Sequence, residues 1–524
     1  MSSRLLKQSL LAASAVTIVA GILGRLFGYT REAIVAGYFG TSGTFDTFIL
    51  ASTVPEFVAG ILFAAIPTAV VPWLNSVCKS SPEQEASLFR RGLAVFGIVF
   101  GSLAVLIFIF RALILQWLAP FLGADQTALG VSLMGILAWT VFFRGLEAYF
   151  RGWLYGKKHF VIPSISPFVM NAAVVGCVLL LYGRLDIQAL AIGWLAGAVM
   201  LFCVNGAFVL TLLGPSQPAS RAGVHVSALL RLALAVAVIE SVSLAYPAVD
   251  RFLAARYLGE GQIAALRYAV FLTQLAPGIL VVTFSLAAFP WITEMSAPSQ
   301  QDRLRELYRH SVRAILSVMV LVAAAMVLFS QDIVRIAFQR GAFDAASSHL
   351  TATAFRYYAL GILLYSVYIY QMRFYYARRA MVRLGMILLF MLLVKVGASM
   401  LLVRPLEHDG LALATSVAWL VGFLVMSVDL ARTFGLKVAR EDTRLLARLV
   451  PIIALVVVFW AAVGRAWPAN DMAPLLWQFL RLAVIAAAGA GIYFGLGVAL
   501  GIPESQRIVS FVRSRFGGAG GPGR

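Results

Sequence analysis

Apolar runs of about 20 residues recur from one end of the chain to the other, separated by short polar connections. A helix of that length rises about 30 Å, which matches the hydrocarbon core of a bilayer. About 14 such runs can be counted. The pattern therefore predicts an all-α polytopic membrane protein with about 14 transmembrane helices.

The first apolar run resembles the core of a signal peptide in length and position. It continues without a convincing cleavage site into Arg25 and the second run. We therefore expect it to be retained as the first membrane helix.

A short repeat indicates how the helices are grouped. Arg31–Gly40 reads REAIVAGYFG and Asp250–Gly259 reads DRFLAARYLG, at an offset of 219 residues. That offset equals six spans, an even number, so the two copies share one orientation and are related by an axis along the membrane normal. The predicted organisation is a six-helix lobe (1–220), a second six-helix lobe (221–438), an additional helix pair (439–502) and a basic cytoplasmic tail (503–524).

Composition supports the membrane assignment and limits the meaning of the charge. Hydrophobic residues make up 61% of the chain and charged residues 12%, which excludes a soluble domain. The net charge is +19, but most Lys and Arg fall in the even-numbered connections and the two tails. This distribution follows the positive-inside rule and predicts cytoplasmic termini. The basic excess serves topology and contact with anionic lipid, and not nucleic acid.

The hairpin of the first two spans carries Arg25, Arg31 and Asp46 inside an otherwise apolar segment. An ionisable group at membrane depth costs roughly 2.5 to 3.5 kcal/mol, so such groups persist mainly where they face water or a polar ligand. A guanidinium offers two charge-assisted hydrogen bonds to phosphate oxygens, which favours an anionic, phosphate-bearing substrate. In the alternative interpretation, Arg31 and Asp46 snorkel to the interface and Arg25 pairs with a carboxylate.

Further arginines in later spans are weaker candidates for the wall of a substrate cavity. These are Arg144, Arg251 and Arg267. Arg144 lies three residues before Glu147 on one helix face, so these two side chains could instead neutralise each other.

Three other charged residues are candidates for ion coupling or for a structural ion pair. Lys395 lies in the middle of an apolar span with no charge nearby in sequence. It must snorkel, lose its proton, or pair with Asp250 or Glu240 from other helices. If it pairs, its ammonium could occupy the place of a coupling cation.

Residue patterns typical of enzymes are absent from the sequence. It contains no Walker-type GxxxxGK[ST] motif, and none of its five histidines has a partner at metal-ligand spacing. The three cysteines have no redox or metal spacing. The outward loops are too short for the catalytic domain of a membrane glycosyltransferase. We expect a transporter with no cofactor and no metal.

Five sequence blocks carry a resemblance to a known family. They are GRLFGYTREAIVAGYFG from Gly24 with Asp46, VDRFLAARYLGEGQIAALRYA from Val249, FQRGAFDAASSHLTATAFRYYALG from Phe338, FYYARR from Phe374 and HDGLALATS from His408. In this order they resemble the MurJ/MviN family of lipid II flippases, part of the multidrug/oligosaccharidyl-lipid/polysaccharide exporter superfamily. The resemblance implies alternating access, with an undecaprenyl-diphosphate-linked saccharide moving from the inner to the outer leaflet of the bacterial inner membrane. It also implies that Arg25, Arg31 and Asp46 correspond to the family's functional charges.

The chain departs from the family pattern in three places. PEFVAG, from Pro55, stands where the family usually has Asn and two arginines in the second helix. Phe271 stands where an arginine is usual in the eighth helix, although Arg267 lies one turn earlier on the same face. Lys395 and Ser399 lie near positions that resemble cation ligands in some members.

Two other functions stay open at this point. The missing arginines allow a flippase for an exopolysaccharide, capsule or O-antigen precursor. A cation-coupled drug exporter is the third interpretation. The sequence leaves open the sugar headgroup, the driving force and the oligomeric state, although we expect a monomer. Enzymes of cell-envelope synthesis are possible functional partners.

Overall fold

The computed structural model describes residues 10–80, 85–213, 226–296, 298–435, 440–469 and 473–516, and the regular elements in these ranges are all helices. The first seven are α1 (Leu10–Phe39), α2 (Gly43–Ser80), α3 (Glu85–Leu118), α4 (Ala124–Gly156), α5 (Val161–Leu185), α6 (Ile187–Leu212) and α7 (Val226–Tyr257). The next nine are α8 (Gln262–Pro277), α9 (Thr283–Glu294), α10 (Gln301–Leu328), α11 (Ser330–Phe338), α12 (Ala345–Ala377), α13 (Met381–Phe434), α14 (Arg440–Ala466), α15 (Leu475–Ala499) and α16 (Pro503–Phe516).

The prediction of an all-α polytopic membrane protein is confirmed. Within the described ranges, 11 helical stretches are long and apolar enough to cross a membrane. α1 and α12, which are not among these 11, have 30 and 33 residues. They are also long enough to cross the hydrocarbon core, which takes about 20 residues. α8 and α9 form one continuous helical stretch, Gln262–Glu294, because a π-helical turn, Gly278–Val282, joins them directly after Pro277.

α13 contains two spans joined at a break. Glu407 has φ 50° and ψ −132°, which no helical residue adopts. The Lys395 ammonium donates to the carbonyl of Leu411, with Nζ 2.8 Å from the oxygen. In a straight helix these residues would be about 24 Å apart, so the chain folds back on itself near the break.

Packing divides the chain into two compact units. The first comprises Met1–Ala265, Arg340–Ser347 and Ser399–His408, and the second comprises Leu266–Gln339, Ser348–Ala398 and Asp409–Arg524. The lobe boundaries that we predict from the repeat, at 220 and 438, stay a prediction.

In the first unit, α2 and α4 form the centre of the packing. α2 lies against α4 and α7, α4 also contacts α3 and α6, and α5 packs on α1 and α6. Large aromatic side chains fill the contact between α3 and α4, with Phe89, Tyr149 and Trp153 almost fully buried. The Tyr149 hydroxyl donates to the Phe89 carbonyl at 3.1 Å. It lies directly over Gly92, where any side chain would collide with it.

In the second unit, the last helices form a separate apolar cluster with α10. Trp460 of α14 donates its indole N–H to the Ile485 carbonyl of α15 at 2.9 Å, and the Tyr493 hydroxyl reaches the Ser317 carbonyl at 2.9 Å. Arg481 pairs with Asp332, their nearest N and O atoms 3.2 Å apart. These bonds satisfy polar groups that would be costly to leave unpaired in an apolar environment.

Candidate functional site

Arg31 lies at the meeting point of α1, α5 and α6. Its Nη2 donates to Glu32 Oε1 at 2.6 Å and its Nη1 to Asn171 Oδ1 at 3.0 Å. The guanidinium carbon lies 5.1 Å from the ring centroid of Trp194. Only 13% of the Arg31 side chain is exposed. The guanidinium is therefore fixed by a carboxylate, an amide and an aromatic face, and keeps its charge inside the helix bundle.

One donor of this guanidinium remains open. Arg31 Nε is buried and makes no hydrogen bond to any described residue. An unsatisfied buried N–H costs about 1 to 3 kcal/mol, which an acceptor oxygen on a bound ligand would recover.

Asp46, near the start of α2, accepts two main-chain hydrogen bonds. Its carboxylate oxygens lie 2.6 Å from the N–H nitrogen of Gly261 and 2.7 Å from that of Ala264. These N–H groups belong to the turn that opens α8, where the helix leaves its first donors without helical partners. Asp46 thus caps this helix start and places a negative charge at its positive end. Whether Asp46 also gates, or pairs with the arginines of α1, stays a prediction.

Arg251 of α7 is bound to α2. Its Nη2 lies 3.0 Å from Glu56 Oε2 and its Nη1 lies 3.3 Å from Thr53 Oγ1. Glu56 is the second residue of PEFVAG, the segment that departs from the family pattern. The acidic residue at this position is therefore matched by an arginine from another helix.

A buried polar cluster connects α4 with α6 and α2. Glu147 forms an ion pair with Arg151 and accepts a hydrogen bond from the Asn205 amide at 2.8 Å. The guanidinium carbons of Arg144 and Arg151 lie 5.4 and 3.5 Å from the ring centroid of Phe63. The ion pair of Glu147 is thus formed with Arg151, one turn beyond it, and Arg144 lies against an aromatic ring.

The remaining candidates lie elsewhere in the two units. Glu240 is half-buried and Asp250 is buried, both on α7 of the first unit. Arg267, on α8, and Lys395, on α13, belong to the second unit. Lys395 is fully buried, and the Leu411 carbonyl accepts one of its hydrogen bonds.

Sequence reasoning missed the neutral partners of these arginines. Asn171 and Asn205 are the polar residues of otherwise apolar stretches of α5 and α6, and that isolation was a usable signal. Trp194 and Phe63 gave no such signal, because aromatic residues are common in membrane helices. Across the described ranges, no three His, Cys, Asp or Glu side chains are grouped closely enough to hold a metal ion.

A comparison with protein families identifies the family of the chain. The family model described as "Lipid II flippase MurJ" matches residues 35–476. The chain belongs to the MurJ lipid II flippase family. Members of this family are membrane transporters, and the chain is a multi-pass membrane transporter and not an enzyme. The resemblance carried by the sequence blocks is thereby confirmed.

Individual relatives agree with this assignment at low identity. The probable lipid II flippase MurJ of Borreliella burgdorferi is 23% identical over 503 residues, covering 95% of this chain and 97% of the relative. The lipid II flippase MurJ of Burkholderia cenocepacia is 23% identical over 500 residues, covering 91% of this chain and 94% of the relative.

Solved structures show the same fold. A lipid II flippase MurJ in an inward closed conformation is similar with a TM-score of 0.78 and 20% identity, covering 92% of this chain and all of that one. A multidrug resistance MATE family transporter of the MOP superfamily is similar with a TM-score of 0.65 and 14% identity, covering 80% of this chain and 98% of that one. The fold is therefore that of MurJ and its MATE relatives.

Proposed function

We propose that this chain moves lipid II, a polyprenyl-diphosphate-linked saccharide precursor of peptidoglycan, from the inner to the outer leaflet by alternating access. The observation that carries the proposal is Arg31, a nearly buried guanidinium with an open Nε donor. A diphosphate supplies an acceptor oxygen for this donor, and a charge-assisted hydrogen bond to an ionised oxygen is stronger than a neutral one. Membership of the lipid II flippase family supports the choice of substrate.

In this proposal the arginines bind the headgroup and the polyprenyl tail stays in lipid. Arg25 and Arg31 would bind the diphosphate, with Arg251 as a weaker contributor because Glu56 already neutralises it. A substrate-binding role for Arg267 belongs to the same proposal. Glu240, Asp250 and Lys395 would serve ion coupling or charge pairing.

Location and orientation complete the proposal. We place the chain in the bacterial inner membrane with both termini in the cytoplasm, because basic residues concentrate in the connections that would then face inward. The substrate and the surrounding lipids are its proposed partners, with enzymes of cell-envelope synthesis acting before and after it.

Complementation tests the proposed function directly. The chain is expressed in a bacterium whose only lipid II flippase can be switched off, and growth is followed together with labelled lipid II exposed at the outer leaflet. Rescue of both is the expected result. Failure, with the protein shown to be present in the membrane, would contradict lipid II and point to another lipid-linked saccharide.

A further inference from the structure

Three ionisable side chains of α4 lie on one face of that helix. Arg144, Glu147 and Arg151 are spaced by three and four residues, which places them in one row. Arg151 contacts both oxygens of Glu147 through Nε and Nη2, and Asn205 Nδ2 lies 2.8 Å from Glu147 Oε1. The carboxylate is therefore already bound by a bidentate guanidinium and an amide.

Arginine–glutamate ion pairs also occur elsewhere in the first unit. They are Arg31 with Glu32 on α1, and Arg251 of α7 with Glu56 of α2. Within the described residues, no carboxylate lies within salt-bridge distance of Arg144.

The position of Arg144 makes an unpaired charge expensive. It lies 12 residues before the end of α4, about 18 Å along the helix axis, and thus within the hydrocarbon layer. A charged side chain in this layer is unfavourable unless it pairs with an opposite charge or faces water. The cation–π contact with Phe63 offsets only part of that cost.

Arg144 and Phe63 are not fully enclosed by the surrounding helices. Phe63 is 40% exposed, and Arg144 itself is only half-buried. One edge of the ring–guanidinium pair is therefore accessible. Phe63 contacts the guanidinia of both Arg144 and Arg151, so it limits the movement of Arg144 and reduces the entropy lost when an anion binds.

We propose that Arg144, supported by Phe63, is a substrate-binding residue that binds a phosphate group of the transported substrate. The inference rests on the proposed function, because that function supplies a diphosphate. The planar guanidinium matches two phosphate oxygens, and none of its donors is held by a direct ion pair with a described residue.

Binding measurements on the purified full chain test this role. We would place the protein in phosphatidylcholine nanodiscs and measure binding of undecaprenyl diphosphate by native mass spectrometry. Loss of one charge-assisted hydrogen-bonding group corresponds to about 1.5 to 3 kcal/mol, so Arg144→Gln should weaken binding about 10- to 100-fold. Arg144→Lys should weaken binding less, because lysine keeps the charge and loses only the paired donors of the guanidinium.

The matched control is Arg111→Gln. Arg111 is also a half-buried arginine of the first unit, with its guanidinium carbon 4.3 Å from the centroid of Phe108. Its partner ring belongs to its own helix, α3, and its side chain lies beside Gly135, on the opposite side of α4 from Arg144. Its replacement should leave undecaprenyl diphosphate binding unchanged.

Competitors identify the source of the phosphate. Inorganic pyrophosphate should compete weakly and with the same dependence on Arg144. Phosphatidylglycerol at equal concentration should not displace undecaprenyl diphosphate; if it does so in an Arg144-dependent way, the site binds bulk anionic lipid and the inference is wrong.

The outcomes separate this inference from the proposed function. Wild-type affinity in Arg144→Gln overturns the role of Arg144 and leaves the flippase proposal intact, provided that the wild-type chain complements. If Arg144→Gln does not fold, Arg144→Lys decides, and wild-type affinity in that variant overturns the role. A wild-type chain that neither binds undecaprenyl diphosphate nor complements contradicts both.

Discussion

The guanidinium of Arg31 is held by Glu32, Asn171 and the ring of Trp194. Arg31→Ala would remove the proposed substrate contacts and, with them, the ion pair with buried Glu32. Arg31→Lys is the more informative change, because it keeps the charge but removes the two-pronged donor geometry of the guanidinium. We expect the melting temperature of Arg31→Lys to stay near that of the wild type, while its rate of lipid II transport falls at least about tenfold.

The control for Arg31→Lys is Arg305→Lys. Arg305 also pairs with a nearby carboxylate, Asp302, but in an exposed position of α10. Its replacement should change neither melting nor transport. A wild-type transport rate in Arg31→Lys would remove the main support for diphosphate binding by this residue.

Asp46 is expected to be important for stability, because its buried carboxylate binds the N–H groups of Gly261 and Ala264. Asp46→Ala leaves two buried donors without an acceptor, at about 1 to 3 kcal/mol each. We expect a lower melting temperature for purified Asp46→Ala and a smaller decrease for Asp46→Asn, which keeps one acceptor oxygen. Asp125→Asn, an exposed aspartate in the first turn of α4, should melt like the wild type.

At the scale of elements, α12 begins with an exposed N-cap. Asp344 Oδ1 accepts the N–H of Ser347 at 2.8 Å, and this hydrogen bond lowers the pKa of the Asp344 carboxyl. The folded state therefore favours the carboxylate. The resulting stabilisation is complete above the ordinary pKa of about 3.9 and is lost as the pH falls through the lower folded value.

Replacement of Asp344 tests its contribution to the stability of α12 directly. Asp344→Ala should cost about 1 kcal/mol at pH 7, and the difference from the wild type should shrink below about pH 4. Asp344→Ser keeps a capping oxygen without a charge, so its melting temperature should stay near the wild-type value at pH 7. Thermal melts from pH 7 to 3 measure both effects; a gap for Asp344→Ala that grows on acidification would contradict the cap.

The loop between α11 and α12 docks on α1 through glycines. The Ala342 N–H donates to the Gly37 carbonyl at 2.7 Å, and Gly341 has φ +58°. A methyl group on Gly341 would overlap that carbonyl oxygen. We expect Gly341→Ala to lower the melting temperature through both the left-handed backbone, worth about 1 to 2 kcal/mol, and the collision.

Gly501 separates these two causes. It has φ +68°, but no atom lies where its methyl group would be. Gly501→Ala should therefore show the backbone cost alone. Equal melting temperatures for the two variants would argue against a tight contact between the loop and α1.

At the scale of the whole molecule, the proposed topology predicts which connections face outward. In a cysteine-less background, lacking Cys78, Cys177 and Cys203, single cysteines would replace Ser42, Gly123, Lys158 and Arg379. An impermeant thiol reagent should label the first two in intact cells and the last two only after permeabilisation. The reverse pattern would contradict cytoplasmic termini.

Much of the architecture was predictable because membrane helices can be recognised from the hydropathy of the sequence. A bilayer requires apolar segments of about 20 residues whose backbone bonds are satisfied internally, so span number and helical class follow from hydropathy. The break at Glu407 was predictable in the same way, since the 53 residues of Met381–Thr433 are too long for one crossing. Family membership followed from the ordered sequence blocks.

The sequence by itself thus determined the helical class, the approximate spans, the family and the set of charges that stand at membrane depth. Only the tertiary structure decided how those charges are paired. Glu147 lies within reach of both Arg144 and Arg151 along α4, but Asn205 and Phe63 from other helices complete the arrangement with Arg151. Likewise, Asp46 meets the start of α8, more than 200 residues away in sequence. The physical reason is that hydropathy is a property of each segment alone, whereas the partner of a buried charge depends on which helices pack together.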